Sequence, residues 1–185
     1  MRALYQKAID QHRHRISSFA HYSLRVKEDA EDVTQEVFIK LWQHWQKIVH
    51  EKLGGWLMRV AHKSVIDHVR KQRPQQANVD HYADVEEQVA QESEEGSLDE
   101  DGFKSQLQAA IKSLVDPFRS IVIMRDIQGM SYEEIQVCLE LSASQVKVYL
   151  HSGRRKLREN TQLRQLFENQ LSEKSVVKQA GPSGQ

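Results

Sequence analysis

Apolar residues recur every three or four positions along most of the chain, a spacing that predicts amphipathic α-helices. In the first part of the chain this pattern predicts helices over residues 2–24, 29–45 and 54–73. Asp29 is the expected N-cap of the second helix, and Pro74 is expected to stop the third. The residues expected to be buried are Tyr5, Ile9, His12, Ile16, Phe19, Ala20, Ser23, Leu24, Ala30, Val33, Val37, Leu41, Trp45, Leu57, Val60, Ala61, Ser64, Val65, His68 and Val69.

The second part of the chain shows the same periodicity. It predicts a helix over residues 104–115 and a further helix that ends near Ile127. Asp116 is the expected N-cap of that further helix, and Pro117 is its expected first residue. The fold is therefore predicted to be all-α.

Residues 131–157 contain the pattern of two short helices joined by a tight turn. Ser131 with Glu134, and Ser142 with Gln145, each match a capping box, in which two side chains cap each other's backbone N–H groups. The second helix is expected to bury Val146, Leu150, Gly153 and Leu157 and to expose Lys147, Val148, His151, Ser152, Arg154, Arg155, Lys156 and Arg158.

A capped helix with a basic outer face, placed directly after another short capped helix, is typical of a DNA-binding helix-turn-helix. The alternative is an ordinary helical hairpin whose basic face is simply solvated. The pattern by itself favours DNA binding over the hairpin.

Charge is segregated along the chain, although the net charge is zero. Residues 1–73 contain 14 Lys and Arg against 8 Asp and Glu, and residues 104–164 contain 10 against 6. Residues 74–103 contain 10 acidic residues and no Lys or Arg. They are also poor in large aliphatic residues, so they bury too little apolar surface to offset the entropy of ordering. The sequence therefore predicts two small basic helical domains, 1–73 and 104–164, joined by a flexible acidic linker, with a disordered tail at 165–185.

Trp56 lies among basic residues on the outer side of the third helix, with Arg59, Lys63 and Arg70 nearby. Aromatic rings that stack on bases and cations that meet phosphates suit single-stranded DNA. A solvated face with Lys63–Asp67 and Asp67–Lys71 ion pairs explains the same pattern equally well.

Several classes of function find no support in the sequence. No apolar run is long enough to cross a membrane, and the first residues contain no hydrophobic core of a signal peptide. The lone Cys138 excludes an internal disulfide, as expected in a reducing cytoplasm. His12 and His14 point apart on a helix, so neither a metal site nor a cofactor is expected. An enzyme is not expected either, because the chain contains no Gly-rich phosphate loop, HExxH motif or nucleophile elbow.

Three runs of residues together resemble the extracytoplasmic-function (ECF) sigma factors of the sigma-70 family. They are DAEDVTQEVFIKLWQHW, GGWLMRVAHKSVIDHVRKQR and DPFRSIVIMRDIQGMSYEEIQVCLELSASQVKVYLHSGRRKLRE. The resemblance implies a sigma region 2 that binds core RNA polymerase and opens the −10 element, and a sigma region 4 that reads the −35 element as duplex. It further implies bacterial core RNA polymerase, promoter DNA and an anti-sigma factor as partners, a cytoplasmic location and no direct membrane insertion.

The resemblance also assigns roles to individual residues. The residues implied to bind core polymerase are Asp32, Gln35 and Glu36. Those implied to contact −10 DNA are His50, Lys52, Trp56, Arg59, Lys63 and Arg70. Those implied to contact −35 DNA are Ser144, Lys147, Val148, His151, Ser152, Arg154 and Arg155. Acidic residues in the first turn of a helix complement its dipole, which explains Asp32 without any function but explains Gln35 and Glu36 less well.

Three positions, in two places along the chain, depart from the family pattern. Primary sigma factors carry adjacent tryptophans where this chain has Trp56 and Leu57, which implies weaker intrinsic melting of promoters. Ser152 and Gly153 stand where relatives often carry Arg and Ala. A self-standing helix-turn-helix regulator is the second hypothesis; such regulators usually dimerise, and this sequence shows no long heptad repeat.

Overall fold

The computed structural model describes residues 2–72, 100–161 and 163–164, and every regular element in these ranges is helical. The α-helices are α1 (Arg2–Ser23), α2 (Lys27–His44), α3 (Leu53–Gln72), α4 (Glu100–Ser113), α5 (Phe118–Val122), α6 (Tyr132–Leu139) and α7 (Ala143–Glu159). Short 3-10 turns at Trp45–Lys47 and His50–Lys52 connect α2 to α3, and a π-helical turn at Ile123–Ile127 extends α5. The all-α prediction is confirmed. The predicted linker up to residue 99 and the predicted tail from residue 165 lie outside the described residues.

Helices α1, α2 and α3 form the first region and pack along the predicted apolar stripes. Phe19, Leu41 and Leu57 are completely buried at its centre. The Tyr5 hydroxyl donates a hydrogen bond of 2.8 Å to the backbone carbonyl of Phe38, which ties the start of α1 to α2.

Asp29 does not cap α2, so that prediction is wrong. The helix begins two residues earlier, at Lys27, and Asp29 lies within its first turn. The Asp29 carboxylate instead accepts a 2.9 Å hydrogen bond from Gln72 and lies 3.2 Å from His68, both near the end of α3. These hydrogen bonds from Gln72 and His68 hold the pKa of Asp29 below its usual value. The carboxylate therefore joins two helices instead of starting one.

Helices α4 to α7 form the second region. Helix α4 begins at Glu100, four residues before the predicted start. The half-buried Phe103 packs on a small apolar cluster that contains Ala110 and Leu163, and this contact favours helix in the segment assigned to the linker. Ala110, Ile111 and Leu114 of α4 are buried.

The start of α5 also differs from its prediction. The helix begins at Phe118, and Pro117 occupies the N-cap position. Asp116 nevertheless contacts the first turn of α5. Its Oδ1 accepts a hydrogen bond from the Ser120 hydroxyl and another, of 3.3 Å, from the Ser120 N–H. The π-helical turn that follows was not predicted.

Both predicted capping boxes are present. The Ser131 N–H donates to the Glu134 carboxylate at 2.7 Å, and the Glu134 N–H donates to the Ser131 hydroxyl at 3.1 Å. The matching distances for Ser142 and Gln145 are 2.8 and 3.3 Å. Gly129 adopts the left-handed conformation expected just after a helix, with φ of 66°. Local sequence therefore fixes the start of α6 and of α7.

The two regions pack directly against each other, because buried residues of both belong to one contiguous apolar cluster. Three long side chains of the second region donate hydrogen bonds of 2.9 Å to backbone carbonyls of the first. The pairs are Gln108 with His21, Arg119 with Ser23, and Gln128 with Arg15. This docking of the regions was not predicted.

Candidate nucleic-acid interface

Helix α7 presents the basic face that the sequence predicted. Val146, Leu150 and Gly153 are buried, while Val148 has 58% of its surface exposed. The predicted −35 contacts on the outer side are Ser144, Lys147, Val148, His151, Arg154 and Arg155, which are exposed, and Ser152, which is half-buried. The structure therefore brings all seven residues to one helix and leaves six of them open to a partner.

Gly153 positions α7 by allowing close contact with α5. A Cβ atom at Gly153 would lie 2.8 Å from Cγ2 of Val122 and 3.4 Å from the backbone carbonyl oxygen of Phe118. Side chains do not approach that closely, so a residue larger than glycine would push the two helices apart. The close packing of α7 on α5 thus explains why glycine stands at position 153, where this chain departs from the family pattern.

Two arginines of α7 already have acidic partners. Arg154 makes a bidentate ion pair with Asp126, in which Nε lies 2.9 Å from Oδ2. The hydrogen bond to Asp126 raises the pKa of Arg154. Arg155 lies 3.7 Å from Glu159, one turn further along α7. Because a guanidinium has five N–H donors, Arg154 keeps donors for a phosphate while Asp126 orients it.

The predicted −10 residues lie on and just before α3. Lys52, Lys63 and Arg70 are exposed, and Arg70 pairs with Asp67 at 3.3 Å. The backbone of His50 lies in the 3-10 turn before α3, and its side chain is outside the described part of the chain.

Trp56 is half-buried, and its ring lies 6.0 Å from that of His44. Trp56 is therefore partly accessible among the cations of α3.

Arg59 differs from the other residues of this face because α6 contacts it. Its Nη2 donates a hydrogen bond to the backbone carbonyl of Val137, and its Nη1 lies 3.4 Å from the Glu140 carboxylate. A nucleic-acid phosphate would need the same donors. In this structure the −10 face is therefore partly covered by the second region.

The predicted polymerase contacts Asp32, Gln35 and Glu36 are exposed together on the outer side of α2. Glu36 pairs with Lys40 at 2.6 Å, and Lys40 in turn donates a 3.0 Å hydrogen bond to the hydroxyl of Ser64 on α3. Lys40 thereby links Glu36 of α2 to α3.

The sequence reasoning missed two apolar residues beside these contacts. Ile39 and Trp42 are 56% and 52% exposed, and they follow Gln35 at helical spacing on the same side of α2. The Trp42 ring packs edge-on against Tyr5, with centroids 4.9 Å apart. Large apolar residues on the polar side of an amphipathic helix are the signal that identifies them in the sequence.

Two profiles of known families match this chain. The model of Sigma-70 region 2 matches residues 8–75, and the model of Sigma-70, region 4 matches residues 104–157. The ECF RNA polymerase sigma factor SigW of Bacillus subtilis is 30% identical over 171 residues, which cover 85% of this chain and 88% of that protein. This chain is an ECF sigma factor of the sigma-70 family.

A second relative is longer than this sigma factor. The ECF RNA polymerase sigma factor SigE of Mycolicibacterium smegmatis is 32% identical over 163 residues, which cover 84% of this chain. The match covers 60% of that relative, so the chain spans less than two thirds of its length.

Solved structures share the fold of this sigma factor. CnrH, in complex with the cytosolic domain of CnrY, superposes with a TM-score of 0.64 at 17% identity, covering 86% of this chain and 88% of CnrH. The sigma factor RpoE from Bartonella quintana, in complex with the anti-sigma factor NepR, superposes with a TM-score of 0.63 at 20% identity. The match covers 84% of this chain and 94% of the other.

Cys138, the single cysteine of the chain, is a buried thiol. Burial raises the pKa of the Cys138 thiol to about 12, so this cysteine is not a nucleophile near neutral pH. In the described ranges no group of three or more His, Cys, Asp or Glu is placed to hold a metal ion. None of the helices described is long and apolar enough to span a membrane.

Proposed function

We propose that this sigma factor binds core RNA polymerase and directs it to specific promoters, with the first region opening the −10 element and α7 reading the −35 duplex. The observation that carries the proposal is the exposed basic face of α7, held in place by two capping boxes, in a chain that belongs to the sigma-70 family. The proposed boundaries are 1–73 for region 2 and 104–164 for region 4, with the acidic linker at 74–103.

Helix α7 would enter the major groove with its exposed outer face. Lys147, Val148 and His151 would meet base edges, because they lie on the side opposite the buried stripe. Arg154 and Arg155 would contact phosphates, which strengthens binding to any DNA sequence and makes it sensitive to salt. Ser144 and Ser152 lie at the edges of this contact.

The α3 face would contact the opened −10 strand. A flipped or unstacked base can stack on an accessible ring such as that of Trp56, while Lys52, Lys63 and Arg59 meet the phosphates. His50 precedes this face in the 3-10 turn. Opening the duplex costs a few kcal/mol per base, so binding to polymerase has to contribute.

The outer side of α2 would bind polymerase. Asp32, Gln35 and Glu36 supply hydrogen-bond acceptors and donors, and the exposed side chains of Ile39 and Trp42 supply apolar area next to them. Apolar and aromatic residues with a polar surround are the usual composition of an interface centre. Trp42→Ala is therefore expected to weaken polymerase binding.

A regulatory anti-sigma factor is a proposed partner of this chain, since RpoE of Bartonella quintana was solved in complex with one. We also propose that the chain acts in the cytoplasm and has no catalytic activity of its own, as a subunit that directs a polymerase.

Run-off transcription with core polymerase over a library of promoter candidates tests this function. Specific transcripts are expected only when the protein is added. Lys147→Ala should change the promoters that are used, whereas Lys27→Ala, the same change on an exposed residue of α2, should not. If no transcript appears and the protein does not co-purify with core polymerase, the proposal fails and a self-standing DNA-binding regulator replaces it.

A further inference from the structure

His44, the last residue of α2, has one ring nitrogen in a defined hydrogen bond. Its Nδ1 lies 2.9 Å from the backbone carbonyl oxygen of Lys40, one turn earlier in the helix. A carbonyl oxygen can only accept, so Nδ1 carries the proton and donates it. In the neutral ring the other nitrogen, Nε2, is then a hydrogen-bond acceptor. His44 is therefore an exposed side chain with an acceptor of fixed tautomer.

The ring of His44 lies beside the ring of Trp56. Their centroids are 6.0 Å apart and their planes are inclined by 45°, so the rings are neither stacked in parallel nor edge-on. Trp56 is near the start of α3, is half-buried and packs on the apolar cluster of the protein. A base that stacks on the accessible part of Trp56 would therefore lie next to the imidazole of His44.

Lys40 holds His44 in place relative to Trp56. Its backbone carbonyl binds the imidazole, and its Nζ donates a 3.0 Å hydrogen bond to the hydroxyl of Ser64, which is 1% exposed on α3. Trp45, the residue after His44, is buried. The end of α2 is thus tied to α3, the helix that carries Trp56.

A structural role explains only part of this arrangement. A basic side chain near the carboxyl end of a helix can bind one of the last carbonyls and complement the helix dipole. This role accounts for the bond from His44 to Lys40, and lysine or arginine would serve it equally well. Neither of those residues carries an acceptor. The acceptor beside Trp56 is what only the histidine provides.

We infer that His44 reads a base of the opened −10 strand and selects adenine or cytosine. An acceptor pairs with the exocyclic amino group of adenine (N6) or cytosine (N4), whereas thymine and guanine present a carbonyl oxygen, O4 or O6, at that position. Trp56 supplies stacking, which every base can make, and His44 supplies the discrimination. The inference rests on the proposed function of α3 and adds a residue that determines its sequence specificity.

Two substitutions at His44 test this inference. His44→Gln offers both a donor and an acceptor, so the preference for amino bases should shrink. His44→Lys offers donors only, so the preference should reverse towards thymine and guanine. A cation is favourable at the carboxyl end of a helix, so α2 should still end in the same way. Gln43→Lys is the matched control, because it adds the same charge at the neighbouring exposed position of α2.

The assay is run-off transcription by core polymerase with each variant. One active promoter is used, and each position of its −10 element is changed in turn to all four bases. At one position the unchanged protein should favour adenine or cytosine over thymine and guanine by roughly three- to tenfold, the effect of a single hydrogen bond. His44→Lys should reverse the preference at that position alone, and Gln43→Lys should leave it as it is.

Identical base preferences for both His44 variants and the unchanged protein at every −10 position would overturn the inference. A loss of transcription by the same factor for all four bases would also overturn it, because a residue that only supports the structure has that effect. Transcription by the unchanged protein reports on the proposed function separately. If it yields no specific transcript, that function fails and the role of His44 fails with it, whereas normal transcription with unaltered preferences refutes only the role of His44.

Discussion

Gly153→Ala isolates the contact that sets the position of the recognition helix. Gly153 lies in the middle of α7, where alanine is intrinsically better than glycine by about 1 kcal/mol. On propensity alone the substitution should therefore stabilise the protein. The structure predicts the opposite, because the new Cβ would lie 2.8 Å from Cγ2 of Val122 and 3.5 Å from Cβ of Phe118.

The cost follows from the surroundings of Val122. This side chain is 1% exposed, and a valine in a helix has one strongly preferred rotamer, so its methyl group cannot turn away freely. Overfilling a packed contact costs about 1–3 kcal/mol. After the gain in helix propensity, Gly153→Ala should lower the free energy of unfolding by about 1 kcal/mol.

Urea denaturation followed by circular dichroism measures this change. Gly55→Ala is the matched control, because a Cβ at Gly55 of α3 meets no atom within 4 Å and should gain stability. In a Val122→Ala background the obstructing methyl is gone, so there Gly153→Ala should become stabilising. If Gly153→Ala stabilises the unchanged protein as Gly55→Ala does, close contact between α5 and α7 is not what the glycine provides.

Three further predictions concern stability. Ser142→Ala removes the cap of α7 and should cost about 1 kcal/mol in the same urea assay, with Ser105→Ala, at an exposed position of α4, as a near-neutral control. Tyr5→Phe removes the 2.8 Å hydrogen bond to the Phe38 carbonyl and should cost about 1 kcal/mol; an unchanged midpoint would show that the bond adds nothing. Burial lowers the pKa of His62, partly opposed by Asp116, so the unfolded chain takes up the proton more readily. The free energy of unfolding should therefore fall as the pH drops below about 6.5, and His62→Gln should reduce that dependence between pH 7.5 and 5.5.

Local sequence was sufficient to predict most of the helices. The capping boxes at Ser131 and Ser142 depend on residues three positions apart, so they can be found without any tertiary information. The buried stripes of α1 and α3 follow from the 3.6-residue period in the same way. Leu150 lies on the inner side of α7 and Lys147 is exposed on its outer side. Both placements followed from that period alone.

Contacts between distant residues were not predictable in this way. Asp29 had every local feature of an N-cap, yet its carboxylate binds Gln72, which is 43 positions away in sequence. Arg59 and Val137 are separated by 78 positions, and nothing in either segment indicates that they meet. Gly153 showed a departure from the family pattern, but only the packing of α7 on α5 gave its reason.

Two of the arginines that pair with acidic residues illustrate how such contacts differ. Arg59 and Arg154 look alike in the sequence, as cations on an exposed face of a helix. Asp126, the partner of Arg154, belongs to the same region as α7, so that pair does not depend on the docking of the two regions. Glu140, the partner of Arg59, belongs to the opposite region, so that pair holds only while the two regions stay packed together. One ion pair therefore depends on packing within a region, and the other depends on the docking of the two regions, which local sequence does not reveal.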